Sequence, residues 1–321
     1  MSRFVIAARQ GENHWAFYGL TLLVLLLAFV IGQVPIAQII DYKVSQGSLT
    51  PTMLEAFSAT LDFAILGLPT YAGLILMLLG HILATVVLCV SVIYVHKRPL
   101  KSVITSRVTV DYKRILFAFG LWMVLSVGAE LVLYTIYPED YTFIFNWHSW
   151  WPLLLVSLFI LPIQTSFEEL FIRGYLLQAL GFVTRSKWVI VVVTSVIFAA
   201  MHLGNPEVRE FGLGMMAFYY LSVAFFLVII TLLDDGLELA LGIHAATNVY
   251  GAAIVSFKGS VLQTDALVKV QELNPLSMIA LFFGMVLLFS IIAHRKYHLK
   301  KFSSLFQPIE NIKPDALRTD I

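Results

Sequence analysis

Long apolar runs separated by short polar clusters set the pattern of this chain. In lipid every backbone N–H and C=O must be satisfied within its own segment, so an apolar run of about 20 residues reads as a helix crossing the hydrocarbon. Eight such spans are expected, at residues 15–40, 69–94, 115–136, 151–180, 188–203, 211–233, 237–257 and 276–294. The fourth is long and contains Pro162, whose missing N–H predicts a kink or a broken start. The fifth is short. Arg3 and Arg9 precede the first run, which is longer than the roughly 7–15 residues of a signal-peptide core and lacks a small-x-small cleavage site. It reads as a retained first helix.

Composition sharpens this into a polytopic membrane protein of all-α class, a bundle of about eight transmembrane helices enclosing a polar cavity. Of 321 residues, 59% are hydrophobic and 13% charged, against roughly 25% charged in soluble domains; mean hydropathy is +0.86. The formal charge of +1 gives no reason to expect nucleic acid as a partner. The lone Cys89 allows no disulfide within one chain and no cysteine-based metal site.

Charge is informative through its distribution. Lys97, Arg98, Lys101, Arg107, Lys113 and Arg114 fall between the second and third spans, Arg185 and Lys187 between the fourth and fifth, and Arg295, Lys296, Lys300 and Lys301 after the eighth. With eight spans all of these lie on one side, whereas residues 137–150 hold no Lys or Arg and residues 204–210 only Arg209. The positive-inside rule then puts both termini in the cytoplasm and the cluster Trp147, Trp150 and Trp151 in an outer aromatic belt. Small loops favour a prokaryotic plasma membrane. Organisation is read as N-terminal helices over 1–150, a chemistry-bearing segment over 151–257, and a last helix with a polar, poorly ordered tail over 258–321.

Polar side chains inside the spans carry the candidate chemistry. Glu169 and Arg173 are four apart, on one helix face and in the favourable order for an ion pair, which reads as a structural device. Glu168 is rotated about 100° away and is left to face a cavity. His202 ends the fifth span, four residues after Phe198, which reads as a pocket wall. His244 and Asn248 are four apart on the seventh span. Glu168, His202, His244 and Asn248 thus come from three helices and converge in one bundle interior. A carboxylate in an apolar pocket is a strong base towards water, an imidazole can orient that water, and Asn248 with the other imidazole can stabilise an oxyanion. These groups suit peptide hydrolysis. Glu168, His202 and His244 are equally a Zn²⁺ ligand set with an open fourth position; residue types alone leave both versions open. The same buried groups would also serve a proton-coupled transporter, and a non-catalytic scaffold or immunity protein is a third reading. His81 is expected to bond a neighbouring helix, Glu130 to pair with another helix or line the cavity, and Asp234, Asp235 and Glu238 to form a solvated turn.

Three of these stretches carry a resemblance. "EELFIR" at residues 168–173 resembles the EExxxR signature of CAAX prenyl endopeptidase-like proteins, the CPBP intramembrane proteases that include abortive-infection-type membrane proteins. "FAAMH", ending at His202, is similar to their FxxxH motif, and "HAATN", starting at His244, to their HxxxN motif. The resemblance implies an intramembrane endopeptidase, of metallo- or glutamate type, acting on a peptide or lipidated protein at the bilayer. It implies Glu168 as catalytic carboxylate, His202 as its partner on the water, and His244 with Asn248 on the oxyanion. Depth counting sits awkwardly with this, since it puts His202 near the outer end of its span and His244 in the cytoplasmic third of its own.

Overall fold

The computed structural model describes residues 3–309. Helices follow the apolar runs: α1 (Trp15–Ser45), α2 (Pro51–Thr60), α3 (Thr70–Val90), α4 (Tyr112–Ile136), α5 (Trp147–Phe159), α6 (Leu161–Glu168), α7 (Leu177–Val183), α8 (Lys187–His202), α9 (Pro206–Phe211), α10 (Leu213–Asp234), α11 (Glu238–Ala253) and α12 (Pro275–Tyr297). Many begin at a side-chain cap that satisfies a free N–H of the first turn: Asp111 for α4, Asn146 for α5, Ser186 for α8 and Asn274 for α12.

Among the described residues, six helices are long and apolar enough to cross a membrane: Trp15–Ser45, Thr70–Val95, Tyr112–Ile136, Trp147–Val183, Leu213–Asp234 and Pro275–Tyr297. The other two expected spans are the 16-residue helices α8 and α11. At 1.5 Å per residue each is about 24 Å long, short of the roughly 30 Å hydrocarbon. The helix with Trp147–Val183 breaks as expected, at Ile160 between α5 and α6, just before Pro162. It then widens into a π-helical turn, Glu169–Leu176, before α7.

Basic loops gather at one end of the bundle. Ser106 and Arg107 bond the turn at Asp234 and Asp235, the Phe4 N–H donates to Asp235, and the Ile309 N–H donates to the Arg185 carbonyl. Asp234 and Glu238 do not form a solvated turn. Both are buried, and Arg107 clamps them at 2.8 and 2.9 Å while Arg114 also reaches Asp234. The Arg107 partner is 127 residues away in sequence, too far for spacing to announce it. The described part of the tail is packed: Phe302–Phe306 forms a 3-10 turn, Leu305 and Ile309 are buried, and Phe302 and Phe306 lie on Trp188. Its remainder, 310–321, lies outside the described residues.

At the other end a three-stranded sheet interrupts the all-helical plan. Strands β1 (Tyr141–Phe143), β2 (Val255–Phe257) and β3 (Val268–Val270) lie in the order β1-β3-β2, β1 antiparallel and β2 parallel to β3. Three residues per strand are too few for alternation to show in the sequence. The sheet sits under the Trp belt, of which Trp147 and Trp151 are exposed and Trp150 donates to the Ala253 carbonyl at 2.8 Å.

Close helix approach relies on missing side chains. A Cβ on Gly242 of α11 would collide with the Ile115 carbonyl and Ala118 of α4, and one on Gly32 of α1 would collide with Gly80 of α3. Both crossings hold a polar face towards the interior: α11 carries His244 and Asn248, and α3 carries His81. A cavity of about 530 Å³ runs between them, bordered by α3, α4, α6, α8, α10, α11 and α12 and by the sheet.

Candidate active site

Glu168 closes α6, at the point where the winding widens. π turns are rare and concentrate at functional sites. Here the turn places two successive glutamates in two different settings. Glu169, fully buried, accepts from Arg173 Nη1 at 2.5 Å and lies 2.7 Å from His244 Nδ1. Arg173, also fully buried, stacks its guanidinium on the Phe198 ring at 4.1 Å. The expected Glu169–Arg173 pair therefore exists, with His244 as a third member and Phe198 as the wall beneath it.

Glu168 has no such cation. Its side chain is 7% exposed, and its Oε1 accepts from Gln164 Nε2, one turn earlier on α6. Its Oε2 has no direct hydrogen-bond partner. Instead His202 Nε2 and His244 Nε2 each stand 3.7 Å from that oxygen. A separation beyond direct hydrogen bonding and below two full bonds is the span of groups that share a water.

Two of the rings are fixed by what their second nitrogen does. His202 Nδ1 lies 2.8 Å from the Phe198 carbonyl. A carbonyl only accepts, so His202 donates from Nδ1 and its neutral form offers a lone pair at Nε2. Stacking against Phe198 and Tyr220, at 4.3 and 5.1 Å between centroids, holds the ring in that pose. His244 directs Nδ1 at the Glu169 carboxylate, again leaving Nε2 for the cavity. Asn248 sits one turn beyond His244 and donates to Gln164 Oε1 at 3.0 Å. Gln164 thus links Asn248 to Glu168.

All four residues singled out by their chemistry, Glu168, His202, His244 and Asn248, line the same cavity. The depth conflict does not survive in the structure: His202, the last residue of α8, and His244 of α11 both stand 3.7 Å from the same oxygen of Glu168. Gln164 went unread in the sequence, although its i,i+4 spacing to Glu168 was available as a signal. His81, expected to bond a neighbouring helix, borders the cavity, 3.9 Å from Glu168 Oε1 on α6. Glu130 lines the cavity too, accepting from the hydroxyls of Tyr141 at 2.5 Å and Tyr250 at 2.9 Å. That pairing ties α4 to β1 and to α11.

A metal would need its donors to converge on one point at about 2.0–2.2 Å. Among the described residues, no group of three or more His, Cys, Asp and Glu side chains meets that arrangement. The Zn²⁺ set of Glu168, His202 and His244 is therefore carried into no step below.

Residues 147–250 match the family model described as type II CAAX prenyl endopeptidase Rce1-like. The resemblance read from the three motifs is borne out over the segment that contains them. A protein of Bacillus subtilis (strain 168) described as "Uncharacterized protein YyaK" is 29% identical over 265 residues, covering 81% of this chain and 84% of its own. No solved structure matches the chain.

Proposed function

We propose that this integral membrane protein is an intramembrane endopeptidase that hydrolyses a peptide bond in a membrane-associated or lipidated protein, with water activated by Glu168. The observation that carries the reading is the position of Glu168 Oε2, an unpartnered and buried carboxylate oxygen 3.7 Å from two imidazole nitrogens. The Rce1-like match over 147–250 supports it at the level of reaction class.

The chemistry follows from the donors and acceptors. His202, donating from Nδ1 to Phe198, accepts one water hydrogen at Nε2 and aims the water's lone pair. Glu168 Oε2 takes the other hydrogen as the water oxygen bonds to the scissile carbonyl carbon, and the carbonyl π pair moves onto oxygen. His244, held through Nδ1 by Glu169, donates Nε2–H to that oxyanion when the ring carries both protons, and Asn248 donates its second amide hydrogen. Collapse restores the carbonyl and breaks the C–N bond. The departing nitrogen takes the proton from Glu168, leaving one carboxyl and one amine product. The apolar cavity keeps bulk water from competing for these groups.

The basic loops at one bundle end support an orientation with both termini cytoplasmic, and the bacterial relative supports a prokaryotic plasma membrane. The test is reconstitution into liposomes with a quenched-fluorescent prenylated CAAX peptide and, separately, with bacterial membrane proteins whose new N-termini are read by mass spectrometry. Parent protein should cleave and Glu168→Gln should not. Equal cleavage by the two would sink the mechanism.

A further inference from the structure

His81 comes from α3, outside the matched residues 147–250. Its Nε2 stands 3.9 Å from Glu168 Oε1, the carboxylate oxygen other than the one that His202 and His244 approach. The side chain is 26% exposed, and it borders the cavity. The ring is not free to wander. Phe29 of α1 meets it edge-on at 5.0 Å and Phe167 of α6 at 6.1 Å. Phe29 itself is pressed against α3 at Gly80, the residue before His81, where a Cβ would come within 3.1 Å of the Phe29 ring.

The carboxylate torsion of a glutamate is broad and nearly two-fold. One hydrogen bond from Gln164 to Oε1 leaves the carboxylate plane able to turn about that contact. A second anchor on the same oxygen, reached from another helix at the separation of a one-water bridge, fixes the plane. With Oε1 held by both Gln164 and His81, Oε2 stays aimed at His202 and His244. Misplacing a reacting group by about 1 Å is enough to lose about 100-fold in rate.

We propose that His81 is a positioning residue for the hydrolysis, holding Glu168 through Oε1 so that Oε2 meets the attacking water. The catalytic role of Glu168 rests on the reading above; the hold on the carboxylate does not. It follows that α3, which lies outside the family segment, is a working part of the site.

Two variants separate this from a packing role. Gln at 81 keeps a donor at the reach of Nε2, whereas Asn is too short to reach. Infrared difference spectra against Glu168→Gln assign the Glu168 carboxyl band in parent, His81→Gln and His81→Asn protein. The band should move in His81→Asn and return towards the parent position in His81→Gln. On the peptide cleaved in the reconstitution assay, kcat should fall about 10–100-fold in His81→Asn with KM within about two-fold, and recover in His81→Gln. A band unmoved in His81→Asn overturns the proposal, as does a parent-like kcat there or an equal kcat loss in both variants. If Glu168→Gln cleaves like the parent, the hydrolysis reading falls and the positioning role falls with it. The infrared band then still reports whether His81 holds the carboxylate.

Discussion

Glu168 and Glu169 are neighbours in the chain and opposites in surroundings. Glu169 has a cation and an imidazole; Glu168 has an amide and three imidazoles held at a distance. Opposite consequences follow for substitution. Glu169→Gln leaves a fully buried guanidinium without its carboxylate, a loss of about 3–5 kcal/mol, so folded yield and melting temperature in detergent should drop sharply. Glu168→Gln removes an oxygen that is buried without a partner, so the melting temperature should hold or rise while cleavage falls by about 100-fold or more. Glu207, on α9 and bordering the same cavity, offers a pH-dependent case. Burial raises its carboxyl above the ordinary value, although the Val261 N–H donates to it at 2.7 Å. A raised folded value favours the neutral form, so the contribution to stability is full below the ordinary value and lost as pH rises through the folded one. Glu207→Gln keeps the acceptor for Val261 and removes the titration. Its melting temperature should match the parent near about pH 4 and exceed it by an increasing margin towards about pH 8. At this scale the sequence was legible wherever partners lay four residues apart, as with Glu169 and Arg173. It gave no sign of the approach of His81 to Glu168, and it put Asp234 in a solvated turn instead of on Arg107, because those contacts depend on helix order and depth rather than spacing.

Helix ends, more than helix existence, decide where the chemistry sits. Apolar runs announce every long helix to within a few residues, since hydrocarbon leaves the backbone no alternative. They did not announce that α8 and α11 stop short, nor the π turn after Glu168. Winding state follows from packing against neighbouring helices, and apolarity carries no trace of it. The α4–α11 crossing tests how tightly the site is held. Ala at Gly242 would push a methyl into the Ile115 carbonyl and Ala118, and overpacking of this kind costs about 1–3 kcal/mol. Gly242→Ala should lower the melting temperature and also reduce kcat, because α11 carries His244 one half-turn further on. Gly284, on α12 with nothing near its Cβ position, is the control: Gly284→Ala should leave both unchanged.

The molecule builds this cavity from residues spread over most of the described chain, from Phe29 and His81 to Met285. On the proposed reading, in which Glu168 activates water without a bound ion, the response to chelators follows. Cleavage should survive extensive treatment with EDTA and phenanthroline, and metal analysis of the active protein should find less than one Zn²⁺ per chain. Loss on chelation with recovery on added Zn²⁺ would instead assign Glu168, His202 and His244 as ligands. The side on which the basic loops collect was legible from charge alone. The small sheet that floors the cavity was not, because β1 and β3 are separated by well over 100 residues and each is too brief to leave a pattern.

The abbreviated α8 has a further effect, on the lipid around it. Val189, Val192 and Val196 form an exposed stripe along the helix, so acyl chains must follow a wall about 6 Å lower than an ordinary leaflet pair allows. Membranes answer such a mismatch by thinning beside the protein. Head groups and the water they carry would then dip towards the level of His202, so that the shortened wall doubles as an inlet. A target segment crossing that dimple would have less hydrocarbon to keep it coiled, and its peptide bonds would be easier to draw out before they ever touched Glu168.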